Sequence, residues 1–169
     1  VYRWQQGVGR GPLVQQVILR EASVIDVPVI RDIAYRTWPI AYGAILSTAQ
    51  LHYMLELMYS EEALRDQLVV KGHRFTLAVI EGAAQGFAGF ETGYNGSPVT
   101  RLHKLYVLPS AQGTGAGRHL VEHVIERAKE DGDAAVELNV NRFNPARGFY
   151  ERHGFRIISD EVIDIGNGF

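Results

Sequence analysis

At 169 residues the chain suits one domain, and its 46% apolar and 21% charged residues supply a core and exclude a disordered chain. A formal charge of −2 and a pI near 6.3 exclude a domain-wide basic field for nucleic acid or an anionic membrane, so any anion has to be held locally. The absence of cysteine removes disulfides, thiolate metal sites and a cysteine nucleophile and fits a reducing cytoplasm, and no apolar run approaches the about 20 residues of a bilayer span.

Val1 to Gln15, with Gly7, Gly9, Gly11 and Pro12 and no clear period, reads as a leader outside the fold, leaving 16–169 as the folded domain. Gln16 to Glu21 reads as a strand. Ser23 and Asp26 form a capping pair for a helix from Val24 to about Thr37, which Pro39 is expected to stop. After a loop from Ile40 to Leu46, Ser47 caps a helix over Thr48 to Tyr59 with Leu51, Met54, Leu55 and Met58 on one face. Ser60, Glu61 and Glu62 start another, running to about Val70.

Phe75 to Glu81, Gly86 to Tyr94 and Val99 to Leu108 read as the strands of an antiparallel meander, joined by a turn at Gly82 to Gln85 and by Asn95-Gly96-Ser97-Pro98. A glycine-rich segment, Gln112 to Gly117, leads into a helix with Leu120, Val121, Val124, Ile125 and Ala128 on its apolar face, closed by Gly132. Ala135 to Val140 then returns as a strand parallel to the one before that helix. Pro145 opens a short helix to His153, Gly154 caps it, and Phe155 to Ile165 reads as the last strand. Ile165 to Phe169 has a hairpin-type turn, so a final strand is expected to be missing from the sequence. The order predicts a mixed α/β fold, a mostly antiparallel sheet with one parallel crossover and flanking helices.

Chemistry is concentrated after Leu105-Tyr106-Val107-Leu108-Pro109. Glycines at 113, 115 and 117 let backbone approach a ligand, and the unpaired amides and dipole at a helix start favour a diphosphate. Such a segment is also what any tight strand-to-helix turn needs, so the assignment draws on a second one, Asn144-Pro145-Ala146-x-x-Phe149-Tyr150-x-x-x-Gly154-Phe155. Together, Gln112-x-x-Gly115-x-Gly117 and this second segment resemble the acetyl-CoA-binding motifs of the GCN5-related N-acetyltransferase (GNAT) superfamily.

The resemblance implies that the strand before the glycine loop and the next parallel strand part to admit pantetheine. Leu105, Tyr106 and Val107 would bind that arm, the stretch Gln112, Gly113, Thr114, Gly115, Ala116, Gly117 and Arg118 the pyrophosphate, and Asn141 or Asn144 would lie near the arm. It implies that Tyr150 protonates the departing thiolate; the alternative is a helix aromatic packed beside Phe149 and Phe155. His103 stands where members of the family carry a glutamate base, and a two-residue period puts it on one face with Leu105 and Val107. A strand histidine bonded to a neighbour is the other reading, with Glu91 the reserve base. A backbone amide near Val107 would polarise the thioester carbonyl, and transfer would be direct, in a ternary complex, with acetyl-CoA as cosubstrate and no metal.

Tyr35, Trp38, Tyr42, His52, Tyr53 and Tyr59 are candidates for an amine pocket or for core and lid. Thr37-Trp38-Pro39 through Tyr59-Ser60 and the ending Asp164 to Phe169 also resemble a bacterial subgroup that includes polyamine acetyltransferases, for which Glu56, Glu61, Glu62 and Glu91 are candidate acidic groups. The expected acceptor is thus a small primary amine, polyamine-like. A protein or peptide acceptor, a non-catalytic acyl-CoA-binding module, and a dinucleotide site using Glu137 are the alternatives. A homodimer is left open, since a missing last strand would expose sheet edges.

Overall fold

A computed structural model describes residues 16–140 and 144–158. The expected leader, Asn141 and the chain from 159 onward lie outside the described residues. The elements run β1 (Val17–Glu21), a 3-10 turn at Val24–Asp26, α1 (Val27–Tyr42), α2 (Thr48–Tyr59), α3 (Glu61–Val69), β2 (Arg74–Ile80), β3 (Ala83–Glu91), β4 (Val99–Val107), α4 (Ala116–Glu130), β5 (Ala135–Glu137) and α5 (Ala146–Arg152). One five-stranded sheet has the order β1-β2-β3-β4-β5, antiparallel from β1 to β4 and parallel between β4 and β5. This is the expected mixed α/β class.

Local signals place most of the ends. Ser47 and Gln50 exchange hydrogen bonds, Gln50 N to Ser47 Oγ at 3.1 Å and Ser47 N to Gln50 Oε1 at 3.0 Å, a complete capping box for α2. At α1 the Asp26 carboxylate accepts from Ser23 N at 2.9 Å and from the Arg20 guanidinium at 2.9 and 3.1 Å. The β2–β3 turn is tighter than expected: Ile80 pairs with Ala83, and Glu81 and Gly82 take φ of 51° and 79°. Left-handed backbone at both central residues matches the twist of a two-residue hairpin.

Each face of the sheet carries one core. Ile30, Ile33 and Trp38 of α1, Leu55 and Tyr59 of α2 and Leu64 of α3 pack with Phe75, Leu77 and Phe87 on one side. Ala116, Leu120 and Val124 of α4 pack with Ala78, Ile80, Phe90 and Leu102 on the other. Fully burying a side chain such as Ile30 or Leu64 contributes about 1.5–3 kcal/mol.

Three expectations are corrected. Pro39 does not stop α1, which continues to Tyr42. Trp38, 3% exposed, and Tyr42 pack against each other with ring centroids 4.6 Å apart, and Trp38 also meets Tyr59 and Tyr106. That aromatic packing on both sides of the proline outweighs the lost backbone bond. The expected strand from Ala135 to Val140 pairs only through Glu137, and no strand occurs at 155–158. Among the described residues no helix is long and apolar enough to cross a membrane.

Candidate active site

Strands β4 and β5 form a fork. They pair only at Val99↔Ala135, Thr100↔Val136 and Arg101↔Glu137, so β4 from Leu102 to Val107 has β3 on one edge and, among the described residues, no strand on the other. The closed end is pinned by Asp133, whose Oδ2 accepts from Thr100 Oγ1 at 2.7 Å and Gly93 N at 2.9 Å. Leu105, Tyr106 and Val107 lie on the open stretch, where peptide groups facing the gap suit a ligand that can hydrogen-bond like a strand.

At the open end the chain turns through Pro109–Ala111 into the glycine segment. Gly113 and Gly115 take φ of 83° and 87°, where a Cβ is strained, and Gly115 is the N-cap of α4. Gln112 N and Thr114 N reach Pro109 O and Ala111 O, each at 3.3 Å, and Ala116 N reaches Thr114 Oγ1 at 3.4 Å. The amides of Gly113, Gly115, Gly117 and Arg118 meet no acceptor among the described residues. They are donors at a helix start, suited to an anion. Arg118 is exposed and bonded to Glu122 at 2.9 Å, while His119 Nδ1 bonds Gly115 O at 2.6 Å and braces the turn. A Cβ on Gly117 would stand 3.3 Å from the Phe149 ring, so this glycine lets α5 lie against the start of α4 and brings the two motifs together.

On the α1 side of the gap, Tyr42 OH shares a hydrogen bond with Tyr106 OH at 2.8 Å and accepts from Asn144 Nδ2 at 3.2 Å. Asn144 Oδ1 in turn accepts from Ala146 N at 2.9 Å, so its side chain holds the start of α5 and ties it to α1. Tyr150, on α5, packs at the edge of the α4-side core, and burial, with Tyr42 nearby, pushes its phenol well above its usual value. It therefore keeps its proton at neutral pH.

His103 is not on the face of Leu105 and Val107. Gly89 pairs with Lys104 but Phe90 with Leu102, leaving His103 as the extra residue of a β-bulge. Leu102, Leu105 and Val107 pack toward α4, whereas His103 Nε2 bonds Glu91 Oε1 at 2.8 Å and its ring stacks on His73, centroids 4.4 Å apart and planes within 5°. The same Glu91 oxygen lies 2.7 Å from His73 Nε2. Burial first, then the neighbouring His103 charge, lowers His73 to about 4, and burial also lowers His103. At neutral pH the His73–Glu91 contact is thus a neutral N–H on a carboxylate. Donor atoms of the three residues lie within 4.8 Å of one another, as metal ligands would. In this arrangement both Nε2 atoms lie against one Glu91 oxygen, His103 Nε2 in a hydrogen bond.

The other candidates scatter. Trp38 and Tyr59 are core, and Tyr35 donates to Glu56, which also pairs with Arg31 at 3.7 Å. His52 is exposed and Tyr53 half-buried on α2, and Glu61 and Glu62 sit in the exposed first turn of α3. No contact joins any two of Glu56, Glu61, Glu62 and Glu91 among the described residues. Glu137 is paired with Arg101 at 3.7 Å. His73 was missed from sequence because it belongs to no motif, whereas Tyr42, a candidate for the amine pocket or lid, is found bonded to Tyr106 and Asn144.

The acetyltransferase (GNAT) domain profile matches residues 46–169. An uncharacterized N-acetyltransferase of Mycobacterium tuberculosis is 28% identical over 142 residues, 83% of this chain and 90% of that protein. A 5-NmdU N-acetyltransferase of Pseudomonas phage PaMx11 is 30% identical over 108 residues, 63% and 71% of the two chains. Among solved structures, the PaiA N-acetyltransferase of Thermoplasma acidophilum, in complex with coenzyme A, superposes with a TM-score of 0.79 at 22% identity, covering 86% of this chain and 93% of its own.

Proposed function

The chain belongs to the GNAT acetyltransferase domain family, and from that premise we propose that it acetylates the primary amine of a small molecule, using acetyl-CoA, by direct transfer in a ternary complex. One observation carries the reading: among the described residues, the edge of β4 beyond Arg101 is unpaired and runs straight into a turn whose amides at Gly113, Gly115, Gly117 and Arg118 lack acceptors. Those are the two groups a nucleotide diphosphate with an amide-bearing arm requires. Acetyl-CoA supplies the acetyl group as a thioester.

The chain's own groups fit that cosubstrate. The bare amides would hold the diphosphate, and the peptide groups of Leu105 to Val107 would bond the arm. The Tyr150 hydroxyl, kept protonated by burial, would donate to the thiolate sulfur as it departs. His103, backed by Glu91, would accept the proton of the incoming amine, which must be neutral to attack. Asn144 would act by holding α5, and so Tyr150, in place.

For the acceptor, the resemblance to polyamine acetyltransferases is the support for a polyamine-like amine, while the dispersal of the four glutamates gives such a cation no common acidic wall. The test is release of free coenzyme A thiol from acetyl-CoA in the presence of polyamines, amino acids, aminoglycosides and lysine peptides, with product masses. Turnover confined to small amines is expected. Turnover confined to peptides would overturn the acceptor assignment, and failure to bind coenzyme A would overturn the site.

A further inference from the structure

We infer that His73 is a positioning residue of the proton-accepting site, which makes Glu91 an anchor shared by two imidazoles and His103 Nδ1 the atom that takes the proton. The inference rests on His103 being the base, as proposed above.

The geometry assigns the atoms. Glu91 Oε1 sits 2.7 Å from His73 Nε2 and 2.8 Å from His103 Nε2. A carboxylate oxygen can only accept, so at these distances each Nε2 carries the proton, that of His103 in a hydrogen bond and that of His73 in a close, bent contact, and each neutral imidazole carries its lone pair on Nδ1. His73 Nδ1 is buried without a partner, on a side chain 10% exposed, and cannot serve a substrate. The His103 side chain is 23% exposed, and its Nδ1 is not among the buried unpartnered atoms.

Three contacts fix the His103 ring: the Glu91 bond, the His73 face, and the Tyr94 ring edge with centroids 5.7 Å apart. The charges acting on the pair are Lys104 and Arg101 from β4 and Lys71 from the loop before β2, opposed by Glu91. Burial first, then His103, Lys104 and Lys71, hold His73 neutral, so it leaves the Glu91 charge intact for an imidazolium forming at His103. In the step, an amine N–H bond breaks, its proton goes to Nδ1, its electron pair stays on the attacking nitrogen, and the Nε2 proton remains on His103, bonded to Glu91.

The test combines kinetics with wild-type spectroscopy. His73→Phe keeps a ring to stack but has no N–H. It should lower kcat about 10- to 100-fold, leave the KM for acetyl-CoA unchanged, and move the acidic limb of the kcat/KM profile to higher pH, because Glu91, relieved of one donor, acts more strongly on His103. His73→Gln, which can restore an N–H, should recover part of kcat. In the wild type, nitrogen-15 correlation spectra should find both rings as Nε2–H tautomers. An unmoved acidic limb with kcat within about twofold, or a Nδ1–H tautomer at His103, would overturn the inference. If His103→Gln keeps the wild-type rate and acidic limb, the parent assignment of the base falls instead.

Discussion

Lys104 is a buried amine with no counter-ion among the described residues, and replacing it should stabilise the protein in a pH-dependent way. Its side chain runs from β4 into the core beneath α2 and α3, 7% exposed. There Nζ donates to Gln67 Oε1, lies 3.4 Å from Met58 O, and sits 4.8 Å and 5.6 Å from the centroids of Tyr59 and Phe75. No carboxylate touches it among the described residues. Burial, then the charge of Lys71, lowers its pKa from 10.5 to about 7. At about 1.4 kcal/mol per pH unit, that shift is a penalty of roughly 5 kcal/mol when the group is protonated in both states. Between about pH 7 and 10.5 the unfolded chain binds the proton and the native one does not, so stability should rise with pH across that window and be flat in this respect below it.

Lys104→Met keeps the apolar stem and removes the charge. After allowing about 1–3 kcal/mol for the Gln67 oxygen left without its donor, the variant should be more stable than wild type by about 2–4 kcal/mol near pH 6. That advantage should disappear, or change sign, as pH approaches 10. Urea unfolding of both proteins at half-unit pH steps, with m-values compared, reads this directly. A wild-type-to-variant difference that does not change with pH would refute the reasoning, since only the titration of Lys104 itself makes it vary.

Tyr150→Phe should lower kcat about 100-fold with little change in the KM for acetyl-CoA, as steady-state kinetics would record. Gly117→Val puts branched carbon into the Phe149 ring, which a Cβ alone would approach to 3.3 Å; calorimetric titration should find coenzyme A affinity reduced about tenfold, with about 1–3 kcal/mol lost from stability. Asp133→Ala leaves the fully buried Thr100 hydroxyl and the Gly93 amide without their acceptor. Denaturant unfolding should report a loss of about 1–3 kcal/mol, and coenzyme binding should weaken because the closed end of the fork is no longer pinned.

Elements with local punctuation were legible from sequence. Ser47 and Gln50 place the start of α2, Gly115 and Gly132 bracket α4, and the alternation from Phe75 to Val107 yields the meander. The parting of β4 and β5 was legible only through the motif resemblance, because nothing in Leu138-Asn139-Val140 says that a β-rich run will leave its neighbour after Glu137. Pro39 misled because proline propensity is a local quantity, whereas Trp38 and Tyr42 gain their burial from Tyr59 and Tyr106, distant in sequence.

The error with the most consequence was one residue of register. A period of two assumes an unbroken ladder, and the bulge at His103 inserts a residue that changes which face every later side chain takes. A trace of it stands in the sequence: Leu102 and Leu105, three apart, both pack toward α4, which a regular strand forbids. Without the bulge, His103 would point at α4 with Leu105 and Val107. With it, the ring reaches Glu91 and His73, on the side where Lys104 and Tyr106 meet α1 to α3. The same inserted residue follows the last β4–β5 pair by two positions, so the point where the strands part and the point where the imidazole is re-aimed are one local feature. Deleting His103 should therefore do more than remove a side chain: it should restore the two-residue alternation with Leu102, Leu105 and Val107 still facing α4 and Lys104 and Tyr106 still on the other face, and cost both the proposed proton acceptor and the local irregularity at the mouth of the fork.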